Sequence, residues 1–192
     1  RNPIPTLEPN VLGPANVLLS FGKHGRGKHR KFVFSSTGGA IYGEPKKILA
    51  NESTPVVPLS PYGLSKYVAE GYLRTLRDLP YTVLRYGNVY GPRQDPDGEA
   101  GVVAIFAGRL LRGQRPAIFG DGRQTRDFVF VGDVAKANLL ALERCKDGEI
   151  LNIGSGRETS VLEVLDTIKA LTGRETEPVY APPVDGEVRR IY

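Results

Sequence analysis

The chain has 192 residues, of which 40% are hydrophobic, and it carries a formal net charge of +5. A chain of this length and composition can bury a core of its own, so we expect one domain. No apolar run approaches the roughly 20 residues of a membrane span, and the single cysteine excludes an internal disulfide. These features predict a cytoplasmic protein, in a reducing compartment, with no membrane partner.

The first predicted element is a helix over residues 7–21, where apolar side chains recur near helical spacing. Pro14 conflicts with this pattern, because a proline inside a helix costs about 3 kcal/mol outside the first turn. We therefore expect a kink, or a late helix start, at Gly13 and Pro14.

Basic side chains are concentrated between Gly22 and Lys31. The segment has no interleaved aromatic residues, so we interpret it as a solvated loop and expect no nucleic-acid partner. Its spacing Gly22-x-x-x-x-Gly27-Lys28 imitates a phosphate-binding loop but lacks the preceding strand, the following helix and the Ser or Thr after the lysine. Both histidines fall here, and with one cysteine in the chain they give no metal-ligand spacing, so we predict no metal site.

Residues 32–34 form a short β-prone run that is followed by Ser35, Ser36 and Thr37 and then by two glycines. This pattern predicts a buried parallel strand with a row of hydroxyls at its carboxyl end. Open α/β sheets bind their ligands at that end of the strands, so we expect a ligand site there.

A proline-rich loop over residues 44–60 is expected to pass over this site, and Pro61 then favours the start of a helix. Tyr62 and Lys66 are four residues apart, so phenol and ammonium share one helix face. A nearby cation favours the phenolate, which can act as a general base while Thr37 relays or orients the proton. The three residues predict oxidation of an alcohol. The buried stripe of this helix is predicted to comprise Val68, Ala69, Tyr72, Leu73 and Leu76.

The second half of the chain alternates strand and helix patterns. Strands are predicted at 81–86, 117–119, 128–131 and 150–153, and helices at 101–111, 134–145 and 161–171. Residues 87–93 follow the first of these strands and contain two glycines and a proline. They are predicted to form a turn that lies close to a ligand. In this turn, the Asn88 side chain offers a hydrogen-bond donor and an acceptor. Asp133 is predicted to cap the helix that follows it.

Three segments together resemble one known family. They are SSTGGAIYGEP at 35–45, SPYGLSK at 60–66 and LRYGNVYGPRQDP at 84–96. In this order they closely resemble the extended short-chain dehydrogenases/reductases and, more narrowly, nucleotide-sugar epimerases of the UDP-glucose 4-epimerase type. The resemblance implies an α/β fold, a Rossmann-like doubly wound parallel sheet, here partial, with a small α/β substrate-binding subdomain. It also implies NAD as cofactor, UDP-hexose as substrate, and reversible inversion at sugar C4 through a 4-keto intermediate.

The resemblance also implies roles for individual residues. The catalytic residues are Thr37, Tyr62 and Lys66. The cofactor-binding residues are Asn10, Ser35, Ser36, Thr37, Tyr62, Lys66, Tyr86, Gly87 and Val89. The substrate-binding residues are Asn88, Phe119, Arg126 and Glu187.

Arg126 matches the family pattern GDG-x-x-x-RD, in which the arginine holds the substrate diphosphate. A guanidinium suits phosphate because it can donate two parallel hydrogen bonds. Val184 stands where a second arginine is usual in the family. We therefore expect Arg189 or Arg190 to compensate.

The resemblance further implies one partial domain over residues 1–192. Its sheet and cofactor side is about 1–100 and 120–150, and its substrate side is about 101–119 and 151–192. A homodimer through the helices at 7–21 and 63–77 is implied as well. The chain has no methionine and no Gly-rich pyrophosphate turn at its start, so we expect a fragment that binds NAD poorly by itself.

Two alternatives remain open. The first is a nucleotide-sugar 4,6-dehydratase or decarboxylase of the same family. Dehydration requires further acid and base groups, which such relatives place as carboxylates directly after the strand-end threonine, where this chain has Gly38 and Gly39. The second alternative is a non-catalytic fragment or binding module. The particular sugar and the nucleotide stay open too.

Overall fold

Helices and mainly parallel strands alternate along the chain, as the sequence pattern predicts. The computed structural model describes residues 3–24, 31–45, 47, 49–76, 79–98, 100–184 and 188–192, so most of the basic segment lies outside the described residues. The strands are β1 Phe32–Thr37, β2 Tyr81–Tyr86, β3 Asn88–Tyr90, β4 Ala117–Phe119, β5 Thr125–Phe130, β6 Glu149–Ile153, β7 Glu158–Ser160 and β8 Val179–Ala181. The helices are α1 Ile4–Leu7, α2 Gly13–His24, α3 Gly38–Ile41, α4 Pro61–Thr75, α5 Val102–Leu111, α6 Val131–Arg144 and α7 Val161–Thr172. None of the described helices is long and apolar enough to cross a membrane.

The central sheet has the order β1-β2-β6, and both of its pairings are parallel. Strand β2 lies in the middle and is buried over residues 82–85, as expected for a parallel strand covered on both faces. The register pairs Thr37 with Tyr86 and Tyr86 with Ile153. The carboxyl ends of all three strands therefore meet at one edge, which confirms the predicted parallel α/β sheet.

A second sheet has the order β3-β5-β7, and its first strand corrects the sequence prediction. Residues 88–90 were expected in a turn, but they form β3 and pair in parallel with residues 128–130 of β5. Gly87 permits the close approach of the chain to β5, because a Cβ at this position would lie 2.8 Å from the Asp127 carbonyl oxygen. Strands β4 and β8 form a separate parallel pair.

Among the described residues, three apolar clusters support these sheets, and the smallest consists of Ile41, Tyr42, Val188 and Ile191. The first joins α2, β1, α4 and β2 and consists of Leu18, Phe34, Ala69, Leu73, Leu79 and Val83. The second joins α5, β4 and α7 and consists of Phe106, Leu110, Ile118, Val164, Leu165 and Ile168. The division of the chain into a cofactor side and a substrate side stays a prediction.

The first predicted helix is present, and Pro14 explains its irregularity. A π-helical turn at Glu8–Leu12 separates α1 from α2, and the Gly13 N–H donates to the Glu8 carbonyl, five residues back. Pro14 follows directly in the first turn of α2. A proline ring clashes with the carbonyl four residues earlier in an α-helix and supplies no N–H, so a wider turn before it relieves both problems.

Helix α4 begins where the sequence predicts. Ser60 is the N-cap, and its hydroxyl accepts a hydrogen bond from the Gly63 N–H at 3.1 Å, while Pro61 occupies the first helical position. The predicted buried stripe is only partly right. Ala69 and Leu73 are buried, but Val68 and Tyr72 are exposed, because the sheet covers a narrower face of the helix than its apolar pattern suggests.

Asp133 does not cap helix α6, so that prediction was wrong. The helix starts three residues earlier than predicted, at Val131, with Phe130 at the N-cap position and no side-chain cap. Strand β5 runs directly into the helix, which places Asp133 in the first helical turn. A carboxylate there still favours the helix through the positive end of its dipole.

Gly63 and Gly71, both in α4, provide a stability prediction. A Cβ at Gly63 would lie 2.3 Å from the Ala40 carbonyl oxygen, whereas a Cβ at Gly71 meets nothing within 4 Å. We expect Gly63→Ala to destabilise the fold by about 1–3 kcal/mol through overpacking. Gly71→Ala, the matched control, should stabilise it by about 0.5–1 kcal/mol, because alanine loses less backbone entropy in a helix. Urea unfolding of both variants tests this, and equal midpoints would contradict the packing of α4 on α3.

Candidate active site

The three predicted catalytic residues come together at the carboxyl end of β1. Lys66 and Tyr62 project from α4, and the Lys66 Nζ donates to the Ser35 carbonyl at 3.2 Å. The same Nζ lies 6.0 Å from the centroid of the Tyr62 ring. The Thr37 side chain is close enough to the Tyr62 hydroxyl for a hydrogen bond between them to lower the pKa of the phenol. Helix α4 thus presents a phenol and an ammonium to a strand end that carries hydroxyls.

Burial controls the protonation of this site. It raises the pKa of Tyr62, and the hydrogen bond with Thr37 only partly opposes that rise. Burial also lowers the pKa of Lys66. The net direction for Tyr62 is therefore opposite to the one that a neighbouring cation alone predicts. Burial disfavours each charge by itself, so phenolate and ammonium would stabilise each other here more than in water.

A cleft begins at Tyr62 and continues toward Arg126. Its first part, of about 350 Å³, is lined by Thr37, Tyr62 and Val89 among others. Its second part, of about 480 Å³, is lined by Phe119 and other residues. Both parts share the walls Asn88, Ala100, Gly101, Val102, Arg126 and Phe128. Cavities of several hundred Å³ accommodate molecules the size of a nucleotide or a sugar, so the combined cleft suits a ligand that contains both.

The predicted substrate residues lie along this cleft where the structure describes them. Asn88 borders both parts, and Phe119, which is 48% exposed, borders the larger part. Arg126 is half-buried in the wall between them and donates to the Thr125 carbonyl at 2.8 Å. Glu187 lies outside the described residues.

Val184 also borders the larger part of the cleft, as expected for its place in the motif. Arg189 binds both carboxylate oxygens of Asp121 at 2.9 Å each, beside a smaller adjoining cavity of about 100 Å³. Arg190 binds Glu158 with two hydrogen bonds. These bonds lower the pKa of each carboxyl group to about 2, so at neutral pH both arginines face an ionised carboxylate.

The arginine that borders the larger part of the cleft together with Arg126 and Val184 is Arg109 of α5. Sequence reasoning missed it, because residues 101–111 were predicted only as a helix and no role was assigned to its side chains. The available signal was a basic residue within that run, one position before the buried Leu110.

The predicted cofactor residues separate into two groups. Thr37, Tyr62, Tyr86, Gly87 and Val89 border the part of the cleft near Tyr62. The Tyr86 hydroxyl lies 3.1 Å from the Ser35 hydroxyl and 2.8 Å from Nδ2 of Asn138, which links the ends of two strands to α6.

Ser36 and Asn10 are placed differently. The Ser36 hydroxyl donates to the buried carboxylate of Glu70 at 2.6 Å, so only the rest of this residue borders the cleft. This corrects the idea that a full row of hydroxyls faces a ligand, since alternate strand residues point to opposite sides of the sheet. Asn10 is half-buried in the π-helical turn, which packs against α4.

The parallel sheet and the Tyr62–Lys66 pair at its carboxyl edge place the chain in the short-chain dehydrogenase/reductase class of α/β proteins. A model of the NAD dependent epimerase/dehydratase family matches residues 1–154. The chain belongs to that family.

The similar proteins agree with this assignment. A protein of Methanocaldococcus jannaschii, provisionally named UDP-glucose 4-epimerase, is 54% identical over 195 residues, which cover 100% of this chain and 62% of the relative. The UDP-glucose 4-epimerase of Thermotoga maritima, solved with UDP-glucose, has a TM-score of 0.93 and 51% identity, covering 100% of this chain and 62% of that one. The Thermus thermophilus enzyme, solved with NAD, has a TM-score of 0.89 and 45% identity, covering 96% and 61%. The chain therefore spans about three fifths of these proteins.

Proposed function

We propose that the protein catalyses the NAD-dependent epimerisation of a UDP-hexose at C4, of the UDP-glucose/UDP-galactose type. The observation that carries this proposal is the cleft with Thr37 and Tyr62 in its first part, beside Lys66, and with Arg126 in the wall between its two parts. An acid/base phenol at one end of a cleft and a guanidinium farther along suit a sugar joined to a diphosphate. The similarity to UDP-glucose 4-epimerases supports the same substrate.

The site fits the nicotinamide end of NAD. The space next to Thr37 and Val89 is open, and the nearby backbone approaches closely because Gly87 has no side chain. Lys66 and the hydroxyl of Ser35 are the donors placed to hold a ribose. When bound, NAD supplies the hydride acceptor and donor for the reaction.

The chain's own residues supply the proton chemistry. Tyr62 Oη accepts the proton of the sugar C4 hydroxyl as the hydride leaves C4, and the product is a 4-keto sugar. Thr37 orients the phenol through its hydrogen bond, and the Lys66 ammonium stabilises the phenolate. The 4-keto sugar then rotates within the cleft, so that its opposite face is presented. Hydride returns to that face and Tyr62 returns the proton to the oxygen, which inverts the configuration at C4.

The geometry disfavours the dehydratase alternative. That reaction requires carboxylates directly after Thr37, but a Cβ at Gly39 would lie 2.9 Å from the Asn88 Oδ1. A Cβ at Gly38 would lie 3.3 Å from the Arg85 carbonyl oxygen. Carboxylate side chains at these two positions would therefore require Asn88 and the neighbouring backbone to shift.

The direct test is to incubate the intact protein with UDP-glucose and follow UDP-galactose by NMR. We expect equilibration of the two sugars from either side, and NAD in the acid extract of the protein. The same assay with UDP-N-acetylglucosamine and with a UDP-pentose identifies the preferred sugar. A 4-keto-6-deoxy sugar, or carbon dioxide from a UDP-uronic acid, would assign the dehydratase or decarboxylase reaction instead.

We also propose that Arg109 and Arg126 together hold the diphosphate. Both border the larger part of the cleft, whereas Arg189 and Arg190 do not. Arg109 then supplies the second positive charge that Val184 lacks. Phosphate binding by two guanidiniums is stronger than by one, since each adds charge-assisted hydrogen bonds.

A homodimer is proposed from the exposed face of α4. Leu64, Val68 and Tyr72 recur every four residues and are 52%, 37% and 47% exposed. Leu12 and Leu19, on the neighbouring N-terminal helical segment, are 58% and 56% exposed. Two such helices from each of two copies would bury these side chains as a four-helix bundle.

Sedimentation equilibrium tests this interface. Tyr72→Glu places a charge in the proposed contact and should raise the dimer dissociation constant at least about tenfold, because buried interface tyrosines are frequent hot spots. Leu171→Glu is the control, since Leu171 is 81% exposed on another helix. A wild-type protein that sediments as a monomer, or equal effects of both variants, would contradict the proposal.

A further inference from the structure

Glu70 is a fully buried carboxylate on the helix that carries Tyr62 and Lys66. Its side chain is 0% exposed, and it follows Lys66 by four residues and Tyr62 by eight. Residues at this spacing lie on one helix face, so Glu70 points toward the sheet from the same side as the catalytic pair. The proposed reaction gives it no role.

The Glu70 carboxylate joins α4 to two strands. It accepts the Ser36 hydroxyl at 2.6 Å, and it receives a bidentate pair of bonds from Arg85, from Nε at 2.9 Å and from Nη2 at 2.6 Å. Ser36 in β1 and Arg85 in β2 are register partners. One carboxylate therefore connects the catalytic helix to both strands at the same level of the sheet.

The connection continues to the third strand. Arg85 Nη1 donates to the Tyr42 hydroxyl at 2.9 Å, and that hydroxyl donates to Asn152 Oδ1 in β6 at 2.7 Å. Burial disfavours the charge on Arg85, but the bonds and charge of Glu70 more than offset it, so its pKa is raised. Buried, fully bonded ion pairs of this kind can specify one arrangement of packed elements.

Ser36 connects this hydrogen-bond network to the residues of the proposed catalytic site. The carbonyl of its neighbour Ser35 accepts a hydrogen bond from the Lys66 ammonium, and the side chain of its other neighbour, Thr37, acts on the Tyr62 hydroxyl. Three successive residues of β1 thus hold three successive turns of α4. The Glu70–Ser36 bond is the buried member of this set, with both side chains at or below 4% exposure.

We propose that Glu70 is a positioning residue, whose bonds to Ser36 and Arg85 fix the position of α4 along β1. This position brings Tyr62 to Thr37 and Lys66 to the Ser35 carbonyl. The kinetic consequence rests on the proposed function. Catalytic groups misplaced by about 1 Å can lose on the order of 100-fold in rate, so a buried bond that sets their position has a measurable effect on turnover.

The test removes one bond of Glu70 at a time. Removing Glu70 itself would leave the buried Arg85 guanidinium unpaired and risk the fold. Ser36→Ala instead removes only the bond to β1 and keeps the ion pair. Arg74→Ala is the matched control, because Arg74 also donates to Glu70, at 3.3 Å, but from a side chain that is 43% exposed. Ser36→Thr keeps the hydroxyl and tests rescue.

In the intact protein, Ser36→Ala is expected to lower kcat for UDP-glucose by about 10- to 100-fold with KM within about twofold, because only the proton-transfer geometry changes. Arg74→Ala should keep wild-type kcat, and Ser36→Thr should recover most of the loss. Bound NAD, measured in the acid extract, should be equal in all variants. Equal kcat values for Ser36→Ala and Arg74→Ala, or a loss that follows the folded fraction, would overturn the proposal.

A second measurement is independent of the reaction. Amide hydrogen exchange of residues 60–70 should become faster in Ser36→Ala than in Arg74→Ala, since α4 loses one of its attachments to β1. Unchanged exchange in both variants would also overturn the positioning role. If the wild type does not interconvert UDP-sugars, the proposed function fails, and the exchange result alone decides whether Glu70 fixes the position of α4.

Discussion

Tyr62→Phe is expected to lower epimerase turnover by at least about 100-fold, the usual scale for the loss of a positioned acid/base group. The variant removes only the hydroxyl that meets Thr37, while the ring still packs beside Lys66. KM for UDP-glucose should change little, because the proposed diphosphate contacts are made by Arg109 and Arg126 and not by Tyr62. Initial rates with the variant and the wild type at saturating substrate provide the measurement.

Tyr180→Phe is the matched control for this experiment. It removes the same hydroxyl from a tyrosine of β8 that is 59% exposed and does not border the cleft. Its turnover should equal that of the wild type. Near-wild-type turnover of Tyr62→Phe would end the assignment of Tyr62 as the base.

Arg126→Ala is expected to weaken UDP binding by about 10- to 150-fold. A charge-assisted bond to a phosphate contributes roughly 1.5–3 kcal/mol, and Val184 contributes no charge to the same wall. Uridine, which has no phosphate, should bind both proteins equally. Calorimetry with the two ligands separates the electrostatic role from a structural one.

Three further variants sharpen this result. Arg109→Ala should weaken UDP binding in the same direction, and Val184→Arg should strengthen it, if the diphosphate lies between them. Arg189→Ala is the control, because that guanidinium is bound to Asp121. Equal losses for UDP and uridine on removing Arg126, or a larger loss from Arg189→Ala, would place the substrate elsewhere.

The local sequence pattern was sufficient to predict the start and the functional face of helix α4. Ser60 and Pro61 predict its first turn, and the four-residue spacing of Tyr62 and Lys66 puts both on one face, because helix geometry depends only on nearby residues. The strands at 81–86 and 150–153 were also predictable, since buried parallel strands are short continuous apolar runs. Pro14 predicted a disturbance at the place where the π-helical turn occurs.

Other features depend on partners that are distant in the chain. Residues 88–90 have turn-forming glycines on both sides, yet they become a strand because β5 offers a free edge about 40 residues later. Val68 and Tyr72 fit an apolar stripe, but only the packed sheet decides how wide a helix face is covered.

The sequence by itself determined the α/β class, the parallel strand with hydroxyls at its end, and the Tyr62–Lys66 pair, because these follow from periodicity and spacing within single elements. The tertiary structure decided which charges meet. It buried Glu70 between Ser36 and Arg85, and it paired Arg189 with Asp121, 68 residues away. Such partners are chosen by the topology and register of the sheets, and a charged residue in a sequence has no local signal for which distant group will neutralise it.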